Sequence, residues 1–238
     1  MISFFKSELI EFFCDPELYD VIPKPIPAYK QMPEWFKKAP NTVEERDHVG
    51  AKAMGAKKCM PLLDAMSMGF IIPLFADVNI RTNSTGSLIE AGGGHAGTVI
   101  DFHTKNQLGP LSPTAPGPAI KFINKWAIKT APGYSTLFIP PINVIEPRFT
   151  CLSGLVDTDK YPKEVNFPAI WHLKSYDDIL LAGTPLVTCI PIKRSTITRS
   201  APIRAKSEEE IGVIDNIRKK LSSRRGVYTN ELREERNK

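Results

Sequence analysis

Along most of this chain apolar and polar residues alternate in short runs, the period of a half-buried β-strand. GFIIPLFADVNIRT predicts a strand that is bent or at a sheet edge at Pro73. The turn signal NSTGS (Asn83–Ser87) leads into a second strand at Leu88–Glu90. A strand is expected at Thr98–His103, after a Gly-rich turn. IKFINKWAIKTAPGYSTLF predicts two strands around a turn at Pro132–Gly133. From Lys129 to Arg194 short β-runs follow one another, separated by Pro, Gly and Asp, with Trp171 placed in the core and His172 on the opposite face.

Two stretches carry a helical period instead. KKCMPLLDAMSMG predicts a short helix with Pro61 in its first turn, Leu62, Leu63 and Met66 on one face, and Gly69 as its stop. SEEEIGVIDNIRKKLSSRR predicts a longer one. Ser207 is its N-cap, with Glu210 completing a capping box, and acids lead while bases trail along the dipole. Ile211, Ile214 and Leu221 form a narrow apolar stripe that should dock on something. Ahead of the strands, residues 1–45 form an extended arm in which Tyr29, Trp35 and Phe36 alternate with prolines and should pack against the protein's own surface. Glu44–Asp47 is expected to be a charged loop. The domain layout is therefore an arm at 1–45, a β-rich core at 46–194, and a linker with a basic helix at 195–238. The fold class is mainly β, a distorted barrel or sandwich, and no internal repeat interrupts it.

Composition changes this picture in three places. Pro makes up 21 of 238 residues, about twice the usual share, which disfavours long helices. No apolar run approaches the roughly 18 residues of a membrane span, and MISFFKSELIEFF is a poor signal peptide, so an intracellular protein without membrane association is expected. Cys14, Cys59, Cys151 and Cys189 are widely spaced with no C-x-x-C pair, so they are expected as small buried apolar residues. Charge is uneven. From Arg194 onward twelve Lys and Arg stand against seven Asp and Glu, whereas residues 1–193 balance at nineteen each. The basic tail is either a solvated helix face or a contact for nucleic acid or an acidic partner.

The stretch Lys129–Arg194 carries a resemblance. APGYSTLF enters through a proline-glycine turn; Gly154-Leu155-Val156-Asp157-Thr158-Asp159-Lys160-Tyr161 follows; and Gly183-Thr184-Pro185-Leu186-Val187-Thr188-Cys189-Ile190-Pro191 leads the last strand. In order and spacing this resembles the β-clip barrel of the deoxyuridine triphosphatase and deoxycytidine triphosphate deaminase superfamily. The resemblance implies β-clip character and, if the activity came with it, Asp157, Asp159 and Tyr161 as catalytic residues with magnesium as cofactor. Where that family carries its Arg-Ser phosphate-binding strand end, this chain has Ile139-Pro140-Pro141-Ile142-Asn143-Val144, and the prolines remove amide donors a triphosphate needs. A second likeness covers residues 23–194. The combination of P-x-P-A-x-x-x-x-P-E-W at Pro25–Trp35, K-K-C-x-P-x-L-D-A-M at Lys57–Met66 and the later P-G-Y, G-L-V-D-T-D and N-F-P-A-I-W resembles an uncharacterised family of tailed phages, especially marine ones, with bacterial relatives. It implies a viral protein located in host cytoplasm or virion, whose partners are further copies of itself or another phage protein.

Three further residue groups bear on chemistry. Asp157 and Asp159, two apart, suit a general base or magnesium ligand and equally an Asx turn capping strand ends. His95, Asp101 and His103 form the one metal-like cluster, a facial triad for iron in an oxygenase-like barrel. Gly92-Gly93-Gly94 reads as a turn, since no Lys-Ser or Lys-Thr follows to make a phosphate loop. Three functions stand: a non-catalytic structural or binding module with no cofactor, a deoxynucleotide-hydrolysing or deaminating enzyme, and a metal-dependent oxygenase-like barrel. The first is favoured because the catalytic turn persists in outline while the phosphate site is missing.

Overall fold

A computed structural model describes residues 9–47, 50–92, 97–104, 107 and 117–235. In chain order the first strands are β1 (Ile10–Phe13), β2 (Ile26–Pro27), β3 (Thr42–Arg46), β4 (Lys52–Met54) and β5 (Phe70–Pro73). Next come β6 (Val78–Thr82), β7 (Ile89–Gly92), β8 (Ile100–Phe102), β9 (Ile120–Phe122), β10 (Ala127–Thr130) and β11 (Tyr134–Ile139). The last are β12 (Phe149–Cys151), β13 (Gly154–Val156), β14 (Phe167–Trp171), β15 (Asp177–Leu180) and β16 (Pro185–Lys193). The α-helices are α1 (Glu34–Lys38), α2 (Met60–Met66) and α3 (Glu208–Ser223). The protein is mainly β, and its strand pairs are antiparallel. No helix among the described residues is long and apolar enough to cross a membrane.

Contacts group the chain into two compact units, each built from two stretches of sequence. The first takes the described parts of Met1–Pro33 and Met66–Ile197. Its sheets run β13-β11-β16-β5-β2, β12-β14-β9-β8, β15-β6-β7 and β1-β10, an open sandwich-like stack that among the described residues does not close into a barrel. Alternation builds it: along β6 Val78, Ile80 and Thr82 are buried while Asn79 and Arg81 face out, and along β14 Phe167, Ala169 and Trp171 point inward. β16 departs from alternation at Leu186–Cys189, all buried, because it lies between β11 and β5 inside the five-stranded sheet. Aromatic contacts tie the layers: Phe138 lies 5.5 Å from Phe167, and Phe149 lies 4.8 Å from Phe122. The expected hairpin is present, with Thr82 opposite Ile89 across the Asn83–Ser87 turn. Gly69 sits at φ 72, and a Cβ there would fall 2.1 Å from the Cys189 carbonyl oxygen. The helix stop is thus also a point of backbone contact.

The arm joins this unit through its backbone and small apolar residues more than through the expected aromatics. β1 pairs with β10, β2 pairs with β5, and Ile22 and Ala28 are buried. Trp126 donates its indole N–H to the Pro23 carbonyl at 3.0 Å and meets Tyr19 edge-on. Tyr29 and Trp35 stay exposed, and of the three expected aromatic anchors Phe36 is the buried one. Cys151 and Cys189 are buried as expected, and burial pushes both thiols up; Cys14 is half-buried and Cys59 exposed.

The second unit comprises Glu34–Ala65 and the described part of Thr198–Lys238. Glu44–Arg46 lie in the β3–β4 hairpin rather than in a loop. Charges on most β3 positions concealed the strand, whose both faces are largely wet. Arg225 fastens the tail to this hairpin by bonding Asp47 and the Lys52 carbonyl. Arg233 holds Asp64 through two bonds of 2.8 and 2.6 Å. After α3 the chain forms a π-helical turn at Tyr228–Leu232.

Candidate functional site

The acidic turn singled out by the sequence closes the end of the five-stranded sheet. β13 ends at Val156, and its chain turns back at once, with the N–H groups of Lys160 and Tyr161 bonding the Asp157 carbonyl at 2.9 and 2.8 Å. Across from it, the Pro132–Gly133 turn brings Gly133 to φ 84, so that its N–H reaches Asp159 Oδ2 at 2.9 Å. Arg194, the residue after β16, supplies the third side. Its own N–H bonds the Gly133 carbonyl at 3.0 Å, which fixes where the side chain starts.

The guanidinium of Arg194 grips Asp159 from two nitrogens, at 2.8 and 2.6 Å, and also donates to the Tyr134 carbonyl at 2.9 Å. Asp159 therefore accepts three N–H bonds while its side chain is only 3% exposed. The Arg194 guanidinium, followed by the Gly133 amide, holds its carboxyl well below the usual carboxylate range. Ser135 donates its hydroxyl to Asp157 Oδ1 at 2.5 Å, and Arg194 lies 3.5 Å from the same oxygen. Asp157 is the outer member, 58% exposed.

Beneath the turn lies a closed chain of hydroxyls. Thr158 Oγ1 is 2.8 Å from Thr130 Oγ1 and 2.7 Å from Thr136 Oγ1, and Thr130 donates to the Tyr134 carbonyl at 3.0 Å. Each hydroxyl has one proton, so its order follows: Thr136 donates to Thr158, Thr158 to Thr130, and Thr130 to the carbonyl. All three threonines are buried, and the chain leaves none of them unpaired.

Chemically, this arrangement is a clasp. A general base must offer a lone pair to water or substrate; Asp159 has three acceptor sites taken, a side chain only 3% exposed and a depressed basicity. Asp157 and Tyr161, the latter 52% exposed, are the members of the predicted set that face solvent. In the phosphate-motif position Asn143 adopts φ 58, within the turn after β11. Arg194, Ser135, Thr130 and Thr136 were missed in the sequence. The signals were there: a lone Arg ending the run PLVTCIPIKR, and the Ser135-Thr136 pair beside the Pro-Gly turn.

The metal-like cluster comes together only in part. Asp101 sits opposite Lys121 across β8 and β9 and is bridged by its ammonium at 2.6 Å; that contact, with the Phe102 amide next, lowers its pKa. His103 follows the strand with its Nε2 buried. His95, like Gly93 and Gly94, lies outside the described residues. Among the described residues no three His, Cys, Asp or Glu side chains gather to hold a metal ion. No family model matches this chain, and no curated protein matches it.

Proposed function

We propose that this chain is a non-catalytic binding module, a protein of the tailed-phage type suggested by its motifs, which acts through contacts with protein partners. One observation carries this reading: the acidic turn that would serve a nucleotide enzyme is already used up as a structural clasp. The Asp159 carboxylate is bonded by Arg194 and Gly133 and shielded from solvent. Its burial and its three bonds leave little of the carboxylate open to a water or a magnesium ion. The tail's bases favour protein contacts over nucleic acid for a similar reason. Arg204, Arg224, Arg225 and Arg233 each hold a carboxylate of the chain itself, so fewer charges remain to displace phosphate counterions.

A deoxynucleotide enzyme stands as the second reading, because Asp157 and Tyr161 are exposed on the same turn. The test is incubation of the purified chain with deoxyuridine and deoxycytidine triphosphates and magnesium, following thermal stability and product together. No stabilisation and no release of pyrophosphate or ammonia are expected. Turnover that disappears in Asp157→Asn, with folding unchanged, would overturn the binding-module reading.

A further inference from the structure

Helix α3 lies at the surface, with Ile214 and Ile217 half-buried and Ile211, Val213 and Leu221 exposed. None of its residues is buried, and Ile211 and Val213 are 48% and 54% exposed. At about 100° per residue, Ile211, Val213, Ile214, Ile217 and Leu221 fall within an arc of roughly 160°, a face wide enough to meet another helix. Its first turn carries Glu208, Glu209 and Glu210; its second half carries Arg218, Lys219 and Lys220. That polarity makes the helix its own complement when a second copy is reversed. A parallel copy sets acid against acid; an antiparallel copy sets acid against base and opposes the two dipoles favourably.

We infer that α3 pairs with α3 of a second copy of this chain, antiparallel and about a two-fold axis. This rests on the binding-module reading and names its partner. The register follows from spacing. Setting Ile214 of one copy against Ile217 of the other brings Glu209 alongside Lys220 of the second copy, twice by symmetry. Lys220 is 57% exposed and holds its own Glu231 only at 3.5 Å, which leaves its ammonium room for the second carboxylate. The same register carries Leu221 of the second copy over the linker groove formed by Pro202, Ile203, Arg204, Val213 and Ile214. Ile203, 99% exposed, is the apolar side chain there with the most surface to lose. Glu210, which falls in the seam, has its charge met within its own chain by Arg204 at 2.8 and 2.6 Å.

Sedimentation velocity of the full chain over a dilution series tests this. The expected result is a concentration-dependent species of twice the chain's mass. Glu209→Lys alone and Lys220→Glu alone each weaken it by roughly tenfold, because each reversal spoils two symmetric pairs. The double variant, which restores acid against base, recovers it. Ile211→Glu with Val213→Glu, both exposed positions, gives a monomer with unchanged far-ultraviolet circular dichroism. A wild-type chain that stays monomeric at every concentration overturns the pairing, as does a dimer indifferent to all of these variants. Either result leaves the binding-module reading intact, since that reading fails on nucleotide turnover instead.

Discussion

The two compact units are held together by different physics. Among the described residues, the buried apolar side chains lie in the first unit except for Phe36 and Val227 in the second. The first unit is electrically balanced by sequence, with fourteen bases and fourteen acids, so the whole net charge of +5 belongs to the second. In the first, burial fixes each strand, and the buried hydroxyls of Thr130, Thr136 and Thr158 are paired within the unit. In the second, paired arginines, a capping box and a hairpin do that work, and apolar side chains such as Met54, Ile203 and Val213 remain wet. The contrast is one of degree: the first unit has a shared apolar core that serves as scaffold, though it too exposes Ile145 and Leu181, and the second leaves most of its apolar side chains at the surface.

The strongest way to break the comparison is to hollow the scaffold. Phe122 is fully buried and packs 4.8 Å from Phe149. Phe122→Ala should cost about 3–5 kcal/mol, a large share of a typical domain's stability, read as a lower midpoint in urea. A loss under about 1 kcal/mol would mean the core is loose enough to collapse around the hole.

The hydroxyl chain comes next. Thr158→Val keeps the side chain's shape but leaves Thr136 without an acceptor and Thr130 without its donor, both buried. The expected cost is about 1–3 kcal/mol in the same urea measurement. Thr136→Val in the same background should then cost less than it does alone, since its hydroxyl has already lost its partner.

How much of this was legible in the sequence follows the same division. Gly69, the Asn83–Ser87 turn, the Pro132–Gly133 turn, buried Trp171 with exposed His172, and the Ser207 capping box were all readable, because each is decided by its own neighbours in the chain. What was not readable depends on distant partners. Arg194 looked like the end of a strand, and only the arrival of Asp159 from 35 residues away makes it the clasp. β3 hid behind its charges, since a strand wet on both faces has no alternation to show. Asp157 and Asp159 were named as a pair, but local spacing does not tell the carboxylate that is buried and bonded from the one that faces water.

Acid separates the clasp from the rest of the scaffold. Asp159 has a folded pKa below its ordinary 3.8, so its contribution is whole above that value and is lost as pH falls through the lower, folded one. Arg194→Met removes the main cause of the depression. The variant should be less stable than the wild type at neutral pH, with the gap shrinking as pH drops below about 4. Parallel urea curves at both pH values check this. A gap that persists unchanged in acid would mean Arg194 acts through its bond to the Tyr134 carbonyl and not through Asp159.

The smallest effect expected sharpens the comparison most, because it tests whether the second unit responds alone. Ser207 caps α3: its Oγ accepts the Glu210 N–H at 3.2 Å, and the Glu210 carboxylate accepts the Ser207 N–H at 2.7 Å. Ser207→Ala should cost about 1 kcal/mol, seen as roughly fivefold faster hydrogen exchange in the α3 amides. The same amides should loosen in acid. Arg204 first, then the Ser207 amide, bring Glu210 down to about 2 from 4.5, so its share is whole above 4.5 and lost as pH falls toward about 2. In both experiments the amides of β16, buried in a scaffold that owes nothing to this cap, should keep their exchange rates. An equal loss of protection in β16 would show that the two units open as one, and the division between scaffold and contact surface would not hold.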